Sequence, residues 1–168
     1  MKRSRVSIAV THVVAAAFAL VLIVMPQAVR AYDLTGVGGS IGVANPEDMD
    51  GTAALGVHAV WEQPNTRLHL EPNMRFWSVD GVRDVAPNMD ATYHFRPESR
   101  WTPYVGGGLG LNFVHSNRLD RSSTDLGVNM IGGVRFPSEM NRYFVEGRYT
   151  ASDINQVSLV TGITFGSR

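Results

Sequence analysis

The chain has 168 residues, 15 of them basic and 15 acidic, and no cysteine, which excludes a disulfide framework and a thiolate metal centre. Four of the basic residues (Lys2, Arg3, Arg5 and Arg30) lie in the first 31 positions, so the other 137 residues carry a formal charge of −4. No basic stripe is left to neutralise phosphates, and this excludes nucleic acid as a partner.

The N-terminus reads as an export signal. Its basic start leads into the unbroken apolar run Val13–Met25, then the helix breaker Pro26 and the small-residue site Val29-Arg30-Ala31. The run is shorter than the roughly 20 residues of a spanning helix, which weighs against a retained anchor. The expected organisation is a signal peptide over 1–31, cleaved after Ala31, and one domain over 32–168.

Eight segments of alternating polarity follow, and a period of two marks a β-strand. The first strand runs from about Leu34 to Ala44, with Val37, Ile41 and Val43 on one side. Asn45-Pro46-Glu47-Asp48 and Asp50-Gly51 turn the chain into the second, about Thr52 to Gln63, where Leu55, Val57, Ala59 and Trp61 share a face. Pro64-Asn65-Thr66 leads to the third, Arg67 to Ser78, with Leu68, Leu70, Met74 and Phe76 apolar. After Asp80-Gly81 the fourth, about Asp84 to Arg96, is the most regular: Val85, Pro87, Met89, Ala91, Tyr93 and Phe95 alternate with polar residues.

The fifth strand, Pro103 to Val114, sets Val105, Leu109, Leu111 and Phe113 against Gly106, Gly108, Gly110 and Asn112. His115 to Thr124 reads as the longest connection. The sixth (Asp125 to Phe136), seventh (Arg142 to Thr150) and eighth (Gln156 to Phe165) strands complete the chain, and no helical period follows the signal.

Apolar faces that end repeatedly in an aromatic suggest strands meeting a common boundary, as in the aromatic girdles of membrane barrels. Eight strands of about ten membrane residues fit the available length, and both chain ends then lie on the periplasmic side. Trp61, Tyr93, Phe95, Phe136 and Phe165 fall at that side, with Tyr104 and Tyr143 at the starts of strands five and seven. The expected fold is all-β: an eight-stranded antiparallel up-and-down transmembrane β-barrel. With no cysteine, hydrogen bonds and burial alone must hold it.

The second face is polar. Parity turns His58, Glu62, His69, Glu71, Arg75, Asp90, His94, Arg135, Glu146 and Arg148 inward. Charges in a narrow lumen must be paired or wet. Counting from the turns places His58 near Glu71, Arg75 diagonally near Asp90, and Arg135 near Glu146. His58, Glu71, Arg75, Asp90, Arg135, Glu146 and Arg148 are thus expected to form a structural network that fills the barrel, as side chains do in eight-stranded barrels. A proton or ion path is the sharper alternative and needs a continuous aqueous column. Gly106-Gly107-Gly108-Leu109-Gly110 is not a phosphate loop, because no Lys-Ser/Thr and no helix follow; inward glycines make room for bulky residues opposite.

Tyr104-Val105-Gly106-Gly107-Gly108-Leu109-Gly110-Leu111-Asn112-Phe113 resembles a central strand of the outer-membrane β-barrel superfamily typified by the transmembrane domain of outer membrane protein A. Tyr143-Phe144-Val145-Glu146-Gly147-Arg148-Tyr149 and the closing Val160-Thr161-Gly162-Ile163-Thr164-Phe165 are similar too. The resemblance implies an outer-membrane location, contact with lipid and lipopolysaccharide, and insertion by the barrel-assembly machinery, which recognises a terminal aromatic strand. Gly166-Ser167-Arg168 after Phe165 departs from that terminal pattern, and the peptidoglycan-binding domain of some relatives is not expected here.

These motifs specify a barrel more than an activity, and a structural or interaction role in the envelope is the expectation. A small porin-like channel is the alternative. A lipopolysaccharide-modifying enzyme is another: lipid A deacylases share this architecture and use a His-x-Ser pair with a carboxylate on the outer wall. None of the five histidines here has serine two positions on, and adjacent His115 and Ser116 point to opposite faces of an extended segment. No nucleophile–base pair facing the membrane is therefore expected, nor any catalytic, cofactor-binding or metal residue. A soluble lipocalin-like carrier would turn the apolar set inward. The outer loops, about Asn45–Gly51, Val79–Asp84, His115–Thr124 and Ala151–Asn155, are short, and only the third offers a small charged surface.

Overall fold

The structure, a computed structural model, describes residues 32–95, 100–116, 121–138 and 140–166. The signal peptide expected over residues 1–31 lies outside them.

The strands are β1 (Asp33–Pro46), β2 (Thr52–Glu62), β3 (Leu68–Val79), β4 (Val82–His94), β5 (Thr102–Ser116), β6 (Arg121–Pro137), β7 (Asn141–Ala151) and β8 (Gln156–Phe165). They form one closed barrel in chain order. Closure is antiparallel between β1 and β8, from Val37 opposite Phe165 to Pro46 opposite Gln156. A closed ladder leaves no edge, so pairing replaces the cross-links the chain lacks.

Turn chemistry sets the register. Val79 pairs with Val82, and Asp80 and Gly81 between them both take positive φ, 53° and 78°. This is the type I′ geometry whose twist matches a hairpin. Asn65, at φ 62°, serves the turn between β2 and β3. One boundary differs from the sequence reading. β5 and β6 continue into the expected 115–124 connection, pairing His115 with Ser122 and Ser116 with Arg121.

Side-chain alternation follows parity on every strand. Leu55, Val57, Leu109, Leu126, Met130 and Leu159 are exposed on the wall, whereas Val60, Asp90, Asn129, Glu146 and Arg148 are buried inside. The interior is thus more polar than the exterior, the inverse of a soluble domain. At the outer end Trp77 packs with Ala44 and Ala54 against Met49, Val79 and Val82.

Candidate functional site

The lumen is cross-linked by charge. Arg148 donates to Asp90 (2.6 Å) and to Glu146 (3.2 Å), and Arg75 donates to the same Glu146 oxygen at 2.6 Å. Arg135 reaches Glu71 at 3.1 Å and His69 Nδ1 at 3.3 Å. Arg142 pairs with Glu62 and also donates to the Thr35 carbonyl. Four guanidiniums therefore meet four carboxylates.

Neutral groups complete the network. Thr92 donates to Glu71 at 2.7 Å, Asn73 to Asp90 at 2.6 Å, and Asn129 to Asn88 and Asp90. Tyr104 donates to Glu146 at 2.9 Å. Its ring stacks on His94, which stacks on His69, and the Arg135 guanidinium lies 5.5 Å from the Tyr104 centroid.

All seven network residues expected from the sequence do face the lumen, but the expected pairs do not form. His58 lies opposite Asn73 and bonds Thr164 at 2.8 Å instead of meeting Glu71. Arg75 lies opposite Ala86 and pairs with Glu146, leaving Asp90 to Arg148. Arg135 lies opposite Phe144 and pairs with Glu71, not Glu146. The reason is geometric. Across so narrow a lumen, a long side chain reaches strands three or four positions away as easily as its neighbour along the wall.

His69, Glu71 and His94 are the one group of metal-type donors among the described residues, with ligand atoms within 4.8 Å of one another. Arg135 already places a positive charge against Glu71 and His69. The two imidazoles are stacked 3.8 Å apart at 17°, so their lone pairs run side by side and do not converge on a point. The cluster suits the ion-pair network better than a metal.

On the wall, Tyr93, Phe95, Tyr143 and Phe165 are exposed at the end where β1 begins and β8 ends, and Trp61 and Phe136 are half-buried there. Tyr104 departs from the expected girdle: it is 2% exposed and inside the lumen. It shares the parity of Gly106, Gly108 and Gly110, and its hydroxyl satisfies a buried carboxylate. Trp101, exposed and edge-on to Phe136 at 5.7 Å, stands at that end of the wall instead.

At the opposite end, Arg83 lies directly across from His115, and His115 directly across from Ser122, all on the outward face. His115 Nδ1 and Ser122 Oγ are 2.9 Å apart. Just below them run Val85, Phe113 and Thr124.

No family model and no curated protein matches the chain. Solved structures do. The chain is similar to Neisserial surface protein A, with a TM-score of 0.65 and 15% identity over 79% of this chain and 96% of that one. It is also similar to the N-terminal β-barrel domain of Pseudomonas aeruginosa OprF (TM-score 0.59, 15% identity, 80% and 98% covered). A third similar structure is the outer membrane enzyme PagL (TM-score 0.51, 17% identity, 76% and 97% covered). The fold is that of the eight-stranded outer-membrane barrels.

Three features of this outer-membrane-type barrel escaped the sequence reading. The His115–Ser122 pair does face outward, contrary to the expectation that no such pair exists. It forms because the strands run past Val114, which a loop of polar residues does not signal. Trp77 is inward by parity with Arg75, and its ring packs against Ala44 and Ala54. Asp84, directly opposite Trp77, is 2% exposed and makes no ion pair among the described residues.

Proposed function

We propose that the mature chain is an integral outer-membrane barrel, exported by its signal peptide, with a structural or interaction role in the envelope. Its lumen is plugged by charged and polar side chains, so it is neither an open channel nor an enzyme. Lipid and lipopolysaccharide surround its wall, and the barrel-assembly machinery inserts it. One observation carries this reading: carboxylates and guanidiniums are paired inside while Leu, Val and Met side chains cover the outside. In water that arrangement exposes a continuous apolar wall, but in a bilayer it places each group in its preferred medium. A soluble carrier needs the reverse.

The plug follows from the same contacts. A cavity of about 20 Å³ between Ser40, His58, Asn73, Arg75, Phe144 and Arg148 has room for one water-sized molecule. Steady ion flow requires several ion pairs to separate, each exposing a buried charge. The non-enzymatic reading is supported by the His115–Ser122 pair having no carboxylate against the imidazole among the described contacts, whereas a catalytic base needs an orienting group. The protein should fold in detergent micelles with β-type circular dichroism and migrate differently when unheated and when boiled. In planar bilayers it should show at most small, rare openings. Steady salt-proportional conductance would make it a channel, and folded protein in a detergent-free periplasmic fraction would make it a carrier.

A further inference from the structure

Two prolines interrupt the wall. The β3–β4, β5–β6, β6–β7, β7–β8 and β8–β1 ladders run without a gap. Between β2 and β3, pairing passes from His58 opposite Asn73 to Trp61 opposite Leu70 and skips Pro72. Between β4 and β5 it passes from Val85 opposite Phe113 to Asn88 opposite Gly110 and skips Pro87. Register is the same on both sides of each gap, so the cause is a missing N–H and not a bulge. A strand residue turns its N–H and C=O toward one neighbour. The β3–β4 ladder continues through both prolines, so Pro72 leaves the Ala59 carbonyl on β2 without a ladder donor, and Pro87 does the same to Leu111 on β5.

The gaps lie almost level across one hairpin, because Pro72 is opposite Met89 and Met74 is opposite Pro87. On the outer side of them the hairpin ends in the Asp80-Gly81 turn. That outer part, residues 73–86, is joined to β2 at five positions, Ala54 to His58, and to β5 at four, Val82 to Val85. It holds together as one piece, since the ladder between its own two strands is complete. On the inner side of the gaps, Glu71 and Asp90 anchor the base of the hairpin to Arg135 and Arg148. Among the described residues, the inward side chains of the outer part contribute one such bond, from Arg75 to Glu146 on β7. Trp77 adds its packing against Ala44 and Ala54. The cavity beside His58, Asn73 and Arg75 sits at the level of the gaps.

We propose that residues 73–86 form a flap in the wall, hinged at Pro72 and Pro87 and latched by the Arg75–Glu146 ion pair, whose outward swing opens the lumen sideways as far down as the cavity. A bend at the hinge breaks no ladder bond there on the β2 or β5 side, because the prolines supply none. Release of the latch leaves Glu146 bonded to Arg148 and Tyr104, so the fixed wall keeps no bare charge. The Arg75 guanidinium is carried toward the water at the outer mouth, where an unpaired charge costs least. The pairs at the base of the hairpin stay closed. The flap rests on the plugged-barrel reading above and assigns the rare openings of that barrel to one part of its wall.

The test follows hydrogen exchange in the full mature protein folded in micelles, and openings in planar bilayers. Amides that pair across the two flap edges should exchange about tenfold faster than those of the β5–β6 ladder at the same level. Pro72→Val combined with Pro87→Val, which gives back both N–H donors, should remove that difference and make openings rarer. Arg75→Gln should speed exchange at the flap edges and raise the frequency of openings, with exchange in β6–β8 unchanged. Flap edges as well protected as β5–β6, or openings indifferent to the proline replacements, overturn the proposal. So does an Arg75→Gln protein in which exchange rises evenly around the barrel. If the double proline variant does not fold, the first comparison and Arg75→Gln still decide. Steady conductance through the unmutated protein would instead sink the plugged reading, and loss of the heat-dependent gel shift would sink the membrane reading.

Discussion

Tyr104 and Glu146 stand in one row of the inner wall on either side of Gly133, the phenol donating to a carboxylate oxygen at 2.9 Å while Arg75 and Arg148 occupy the other oxygen. Both residues are buried. The phenol therefore completes the solvation of a charge that water does not reach, and its removal leaves an acceptor empty. Tyr104→Phe keeps the ring and its stacking but should destabilise the barrel by about 1.5–3 kcal/mol, as loss of a hydrogen bond to a charged group does. Urea unfolding in vesicles, followed by gel migration, measures it.

Arg148 joins Asp90 to Glu146. Arg148→Ala strips the guanidinium from two carboxylates and should cost about 3–5 kcal/mol. It should also raise the frequency of bilayer openings. Stability lost without more frequent openings would show that the remaining pairs still close the lumen.

Met130 is 66% exposed on the wall. Near mid-strand, Met130→Arg should cost about 2–4 kcal/mol, whereas Thr124→Arg, on the same face close to the outer end, should cost about 0–1. Equal costs would argue against a bilayer around the wall. Asn129→Arg, one residue away, is no mild control. Asn129 is 2% exposed and bonded to Asn88, Asp90 and Thr150, so a larger side chain there breaks a filled network.

Gly132 and Gly133 are neighbours on opposite faces of β6. A Cβ on Gly132 meets nothing within 4 Å, whereas one on Gly133 lands on the Tyr104 ring. Gly132→Ala should be neutral or stabilising by up to about 1 kcal/mol. Gly133→Ala should destabilise by about 1–3 kcal/mol through displacement of that ring. Unfolding midpoints in micelles distinguish them.

Strand count, face and inward set were legible because each depends only on local alternation. Met130 and Asn129 lie on opposite faces whatever surrounds them. Pairing inside the lumen was not legible. Arg75 finds Glu146, 71 positions away, through the curvature of the closed wall, which turn counting cannot supply. Tyr104 was misplaced where two cues conflicted: its residue type suggested a girdle, while its parity with Gly106 pointed inward, and parity prevailed. His115 and Ser122 were hidden because polar residues near a turn carry no strand signal, although the ladder continues through them.

The interior charges have a consequence for assembly. Arg142 on β7 meets Glu62 on β2 and Thr35 on β1, and Arg75 on β3 meets Glu146 on β7. None of these contacts can form until early and late strands come together, a separation of 107 positions for Thr35 and Arg142. An open sheet of these strands therefore presents bare carboxylates and guanidiniums on one face and unpaired strand edges at β1 and β8, and hydrocarbon tolerates neither. Those charges are neutralised only where the last strands meet the first. The cross-lumen pairs thereby tie neutralisation of the interior to closure of the cylinder.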